Sequence, residues 1–483
     1  MITRTAKHAH KHRPVTWLVS LLPTKTWAII GVHFLFLLAT ILIKDLDYGA
    51  KVSLFAFLSA MTLWISTKIP AGFVAISLLV FIVLMKAGSQ ELLYHSLAEE
   101  VVWLMVGSFI IGEAVKQSGL AERLTQSILK KSGNKNSVLF GVTSVLFASA
   151  FFIPSTSGRA ALSMPIIKQL GPIFSDKEQR MLAILAPVVI LMSTSATLIG
   201  AGSHLLGIGL LESTTGQSIS YFQWFIWGVP FAILVTFFTA VIMKRMLWPK
   251  DVSDSLVSTF AGKTANSQKS LNIKEKKTII LISFLIFGWI TESIHGYDIA
   301  FITMLGAVLV MLPSFGVISW KNGMKSVSWN LIVFVAAATA LGKVLVDTGA
   351  VVWIQEELLS VLGLFKHSPE WVIVLVIAIV TTTSHLYITS HTTRAVVFIP
   401  GLLLFSETLG INPATVVFLS LVGMNYCVTF PVSSKALLLF FEEGDVSYDA
   451  KHLIKISAIL MPLYIAAMIV FYFTFWKWTG MGL

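Results

Sequence analysis

The chain has 483 residues, 56% hydrophobic and 12% charged, with 35 basic and 24 acidic side chains and a net charge of +11. Soluble domains run about 45–50% apolar and about 25% charged, so this composition excludes an ordinary soluble enzyme and a disordered chain. Nor is the basic excess that of a nucleic-acid binder, because the apolar residues fall in many separate runs of roughly 17–25, the length that crosses a bilayer as helix.

The first 25 residues carry Arg4, Lys7, Lys11, Arg13 and Lys25 and no acid. Positive charge marks the cytoplasmic side, so residues 1–26 are expected to be a cytoplasmic tail. The polar stretch is too long for a cleavable signal, and no small-residue cleavage site follows the first apolar run. His8, His10 and His12 have a metal-binding composition, but a solvated tail explains them without a metal. Apolar spans follow near 27–43, 52–69, 72–86, 101–115, 181–206, 222–243, 278–294, 299–313, 330–348, 413–440 and 453–476. That predicts about eleven crossings and an exterior C-terminus. Basic residues gather in 116–135 and 244–277; acids gather at Glu91, Glu99, Glu100, Glu212, Glu292, Asp298, Glu356, Glu357 and Glu370, on the expected exterior side. The tryptophans read as an interfacial belt. The polar stretch 249–277 is a cytoplasmic linker that divides a first half, 27–248, from a second, 278–483.

Two stretches, 137–170 and 371–409, are apolar, then polar, then apolar again. Their flanking charges place both ends of each on one side, so each is expected to be a re-entrant hairpin, entering from opposite faces. Such backbone is tolerated only where protein buries it or it lines a wet cavity. A shift of 235 residues lays Ser155-Thr156-Ser157-Gly158-Arg159-Ala160 on Ser390-His391-Thr392-Thr393-Arg394-Ala395, with Pro165 on Pro400. A shift of 230 lays Gly112 on Gly342 and Gly119 on Gly349. The charge pattern runs the two copies in opposite directions. The fold class expected is therefore an all-α polytopic membrane protein built as an inverted-topology repeat, with a substrate site near the midplane where the breaks meet.

This layout resembles the divalent anion/sodium symporter family of dicarboxylate, citrate and sulfate carriers, over nearly the whole chain. The family's Ser-Asn-Thr hairpin signature stands here as Ser155-Thr156-Ser157 and Ser390-His391-Thr392. Its helix break after each hairpin corresponds to Ala196-Thr197-Leu198-Ile199-Gly200-Ala201-Gly202-Ser203-His204 and to a shorter Phe430-Pro431-Val432-Ser433-Ser434-Lys435. The resemblance implies an elevator-type carrier, a homodimer in the bacterial inner membrane, and no cofactor. It also implies cation positions at Ser155 and Gly200 in one repeat and at Ser390 and Val432 in the other. Both signature asparagines are missing here, and one turn earlier stand Phe151 and Leu386, which cannot ligate sodium.

An anion inside a membrane needs donors and positive charge. Hairpin breaks expose backbone N–H groups at helix N-termini. Ser155, Thr156, Ser157, Gly158, Ser390, His391, Thr392, Thr393, Ser203, Ser433 and Ser434 would add donors around a small anion. Arg159 and Arg394 offer planar forks for carboxylate or sulfate. The structural alternative lays each arginine against helix-end carbonyls or an acid such as Glu113. If both face the substrate, they replace two sodium ions. Fixed charges cannot leave with the cargo, which favours exchange of one anion for another; the alternative is a sodium- or proton-coupled anion symporter with altered cation sites. His204, His391 and Lys435 are candidates for a proton or charge role, against a plain hydrogen-bonded or snorkelling role. His385 and His204 read first as hydrogen-bonded. Phe152 and Tyr387 are candidates to shape the pocket. Glu113 and Lys343, each one residue after Gly112 and Gly342, read as an ion pair or interfacial charges. An enzyme would need a nucleophile–base pair, metal cluster or paired carboxylates. Ser384 and His385 are adjacent and do not face each other on a helix, and Cys427 as the one cysteine excludes an intramolecular disulfide or a cysteine metal cluster.

Overall fold

Every apolar run needs its backbone hydrogen bonds met within the chain, and the chain answers with helices. The computed structural model describes residues 23–483 except 68, 121–122, 124–126, 128–133, 152, 154, 172–173, 249–269, 314, 355–367, 387, 389 and 443–447. Most of the basic tail with its three histidines, most of the 249–277 linker, Glu356, Glu357, Phe152 and Tyr387 lie outside the described residues, as does the Val432 side chain.

The first half comprises α1 (Thr24–Leu42), α2 (Tyr48–Ser66), α3 (Ala71–Leu84), α4 (Glu100–Ser118), α5 (Lys135–Ala148), α6 (Thr156–Leu170), α7 (Asp176–Met192), α8 (Gly202–Thr215) and α9 (Tyr221–Leu247). The second comprises α10 (Ile273–Ile290), α11 (Ile299–Met311), α12 (Trp320–Ser326), α13 (Trp329–Asp347), α14 (Glu370–Thr383), α15 (His391–Leu409), α16 (Pro413–Asn425), α17 (Lys435–Glu442) and α18 (Ala450–Thr474). Among the described residues there is no strand. Among the described residues seven helices are long and apolar enough to span a membrane, and five shorter apolar helices join them. α1 packs least: Phe34, Leu35, Ile41 and Leu42 are all exposed, an apolar surface that water would penalise and lipid does not.

The two halves repeat in detail. Each hairpin opens with a 14-residue helix, α5 or α14, followed by a 3-10 turn, Ser149–Phe151 or Ser384–Leu386. Each then restarts at a serine N-cap into α6 or α15. Each broken helix stops and resumes across nine residues, 193–201 between α7 and α8 and 426–434 between α16 and α17. Both breaks close with a 3-10 turn flanked by extended residues. Thr197 and Ala201 have φ of −137° and −149°, and Phe430 and Ser434 have −127° and −150°. The second break is thus as long as the first. The sequence motif looks shorter only because its first four residues, Tyr426 to Thr429, continue an apolar run. Both also begin earlier than the motifs, at Ser193 and Tyr426, and Lys435 already belongs to α17.

The repeats interlock. α4 packs on α11 and α3 on α13, with Gly107 against Thr303 and Gly72 against Asn330. In a second group α8 packs on α15, and α17 on α6, so the resumed half of each broken helix lies on the other repeat's hairpin. Near the centre, Phe231 of α9 meets Tyr464 of α18 edge to face at 5.5 Å.

Candidate functional site

The site is built from helix ends. Ser155 and Ser390 adopt extended backbone and cap the helices that follow them. Ser155 Oγ accepts from Gly158 N at 3.2 Å and Ser390 Oγ from Thr393 N at 3.3 Å. One orphan N–H of the first turn is met in each case; the others face the tip. Each cap hydroxyl touches its neighbour two residues on, Ser155 with Ser157 at 3.0 Å and Ser390 with Thr392 at 3.1 Å. Thr156, Ser157 and Gly158 are half-buried, as are His391 and Thr392; Thr393 is buried and Ser390 exposed. The starts of α8 and α17 are extended at Ala201 and Ser434. A methyl added at Gly202 would lie 3.8 Å from Thr392 Cγ2, so the second hairpin tip meets the first break directly. Gly200 is required because a Cβ there would collide with the Thr194 carbonyl.

Both arginines are buried, at 1% and 0% exposure. Arg159 Nε donates to Ser149 Oγ at 3.0 Å, and its Nη2 donates to Leu146 O at 3.0 Å and to Ser193 Oγ at 2.5 Å. Arg394 is less well held: its Nη1 is 3.5 Å from Tyr426 O, and it lies beside the Cys427 thiol. Both therefore reach the first residue of their own repeat's helix break. Among the described residues no carboxylate pairs with either. Glu113 pairs instead with Lys116 at 3.7 Å and accepts from Gln117 at 2.7 Å, not from Lys343 or an arginine.

Histidines complete the set. His204 has Nδ1 3.1 Å from Thr197 O and Nε2 3.0 Å from Asn425 Oδ1, which ties the two broken helices together. His391 Nε2 lies 2.9 Å from Cys427 Sγ. Ser203, Ser433 and Ser434 are buried, and Lys435 is exposed on the first turn of α17. Several buried side-chain atoms here lack a protein partner: Arg159 Nη1, Arg394 Nε and Nη2, Asn425 Nδ2, His391 Nδ1, Ser195 Oγ and Ser203 Oγ. Every one of these groups can donate. Sequence reasoning missed Asn425, Cys427, Ser149 and Ser193, because they sit inside or at the end of apolar runs and carry no motif.

Helices that stop and restart in both repeats, with buried donors gathered at the breaks, point to the class of membrane transporters. The chain belongs to the sodium:sulfate symporter transmembrane family, whose model matches residues 13–481. It is 23% identical to the sodium-dependent dicarboxylate transporter SdcS of Staphylococcus saprophyticus, over 86% of this chain and 85% of that one. It is also 23% identical to the citrate/succinate antiporter of Escherichia coli, over 76% of this chain and 77% of that one. The crystal structure of the Alcanivorax borkumensis YdaH transporter shares the fold, with a TM-score of 0.57 and 15% identity over 95% of this chain and all of that one.

Proposed function

We propose that this chain is a secondary carrier that exchanges small dicarboxylates across the cytoplasmic membrane, with Arg159 and Arg394 standing in for coupled sodium. The observation that carries this reading is the set of buried donors without a protein acceptor at the hairpin tips and breaks. Leaving such groups unmet costs about 1–3 kcal/mol each, and more for charged ones. An anion would satisfy several at once. The relatives' names favour dicarboxylate over sulfate. The loss of both signature asparagines, with Phe151 and Leu386 upstream, supports a site without sodium.

The transport step in this reading is an elevator movement of the hairpins and broken helices, α5–α9 with α14–α18, against α2–α4 and α10–α13. The chain works as a homodimer, with its N-terminus cytoplasmic and its C-terminus outside. An unloaded site would carry two fixed charges past apolar walls at a cost of several kcal/mol, so the carrier returns loaded.

The test is uptake of labelled succinate into proteoliposomes, in sodium and in choline buffer. Preloading with unlabelled succinate is expected to speed uptake at least tenfold over empty vesicles, equally in both buffers. Equal rates in empty and preloaded vesicles would overturn exchange. Uptake that requires sodium would show instead a symporter whose cation sites use other ligands.

A further inference from the structure

The second repeat holds a titratable chain that the first repeat does without. His385, in the 3-10 turn after α14, is buried at 1% exposure. Its Nδ1 lies 2.7 Å from Thr382 O and its Nε2 2.7 Å from Thr429 Oγ1. Thr429 Oγ1 is 2.6 Å from Ser457 Oγ, and Ser457 Oγ is 3.0 Å from Tyr426 Oη. The phenol also lies 3.4 Å from Ser457 O. In the first repeat the hairpin position 235 residues earlier is Ala150, and the break position matching Thr429 is Ala196. Those two pack with Ala232 in a small apolar cluster. There Trp224 on α9 holds the break through a 3.0 Å bond from its Nε1 to Ser195 O. The fold is therefore built with alanines at these positions in one copy. A buried polar chain is costly unless satisfied, and the fold alone does not call for it.

We propose that His385 is a proton-binding site whose occupancy is coupled to anion binding, so that the carrier takes up a proton together with its substrate. The inference rests on the carrier reading above. The carbonyl of Thr382 is only an acceptor, so Nδ1 keeps its hydrogen in both states. In the neutral ring Nε2 accepts from Thr429, Thr429 from Ser457, and Ser457 from Tyr426. When a proton binds Nε2, each bond reverses. Nε2–H donates to Thr429, Thr429 to Ser457, and Ser457 to Tyr426, whose own hydrogen turns to Ser457 O. Every hydrogen has an acceptor before and after. Thr429 is half-buried and is the member of the chain least enclosed by protein. Among the described residues, the titratable and charged groups around the ring are Arg394 and His391 on α15, Tyr426 and Cys427 in the break, and Tyr464 on α18. None is an acid. An arriving dianion offsets the field of Arg394 at the ring and so favours its protonation, and by linkage the proton raises anion affinity in turn.

The experiment is calorimetry of succinate binding to the purified full chain in buffers of different ionisation enthalpy, on the alkaline side of succinate's own ionisation. The wild type is expected to take up as much as about one proton per succinate as pH falls through the pKa of the ring in the loaded site. Affinity would then rise by up to about tenfold per pH unit. His385→Gln is expected to bind succinate with no proton uptake. Thr429→Val removes the acceptor for Nε2–H and is expected to lower uptake in the same way, which serves if the glutamine variant does not fold. Uptake unchanged in the variants, or no uptake in a wild type that binds succinate, would overturn this inference and leave the carrier intact. A wild type that binds neither succinate, citrate nor sulfate would overturn the carrier reading and this inference with it.

Discussion

The two hairpins share a backbone and differ in how their buried charges are held. Arg159 has three bonds, to Ser149, Leu146 O and Ser193, while Arg394 has one long contact with Tyr426 O and a thiol for a neighbour. At the mouths the signs are reversed. Lys135 begins α5 and Glu370 begins α14, 235 residues apart. Lys135 lies buried against Glu178 at 2.9 Å, whereas Glu370 meets Lys477 in a partly exposed pair. An inverted repeat thus fixes where the chain breaks without fixing what each break does. The first hairpin is held mostly by its own protein partners. The second leaves donors open, so it is the one in which a ligand gains most.

The largest effect expected from this contrast is at the buried mouth pair. The Lys135 and Glu178 side chains are 7% and 2% exposed, and Glu178 also accepts from Ser175 N at 2.7 Å to cap α7. Lys135→Ala leaves that carboxylate buried without its cation, which costs about 3–5 kcal/mol. Urea or thermal unfolding of the purified protein should show it. A loss below about 1 kcal/mol would mean that the two mouths are energetically alike.

The arginines should respond with opposite signs. Arg159→Gln strips charged donors from Ser149, Leu146 O and Ser193, and a loss of about 3 kcal/mol of ligand-free stability is expected. Arg394→Gln removes a buried charge whose Nε and Nη2 have no protein acceptor. The ligand-free protein should become more stable, while the anion-induced thermal shift disappears, as happens when a site is kept at the expense of stability. A wild type at one hundred times its dissociation constant gains about 2.7 kcal/mol, so the missing shift is readable. Destabilisation by both substitutions would erase the distinction drawn between the hairpins.

Much of this was legible in the chain. The polar interruptions after Phe151 and Leu386, with arginine and proline at one spacing, marked both hairpins. A polar cluster inside an apolar run stays at membrane depth only where protein buries the broken backbone or water reaches it. The partners were not legible. Arg159 finds Ser193 and Arg394 finds Tyr426 across more than thirty residues, and no local period encodes such a meeting. The second break was underestimated because Tyr426, Cys427 and Val428 are apolar enough to read as span. Its backbone nonetheless leaves the helix at the same place as the first copy, with its Gly200. His385 reads in the sequence as a hydrogen-bonded histidine, and both its ring nitrogens are hydrogen-bonded in the structure; the apolar counterpart, Ala150, is what sets the position apart.

The smallest expected effect tests the same comparison from its weak side. Lys477 and Glu370 are 41% and 28% exposed, and Glu370 keeps a second donor, Tyr472 Oη at 2.6 Å. Lys477→Ala therefore leaves no stranded charge, and exposed pairs contribute little against solvent and salt. A loss under about 1 kcal/mol is expected, shrinking further at high ionic strength. Tyr472 also accepts from Leu483 N at 3.1 Å, so Tyr472→Phe in the same background would remove both the carboxylate's remaining donor and the hydroxyl that holds Leu483. If Lys477→Ala alone proved as costly as Lys135→Ala, the second mouth would be as tightly latched as the first. The freedom assigned to the second hairpin would then have to come from Arg394 and its open donors alone.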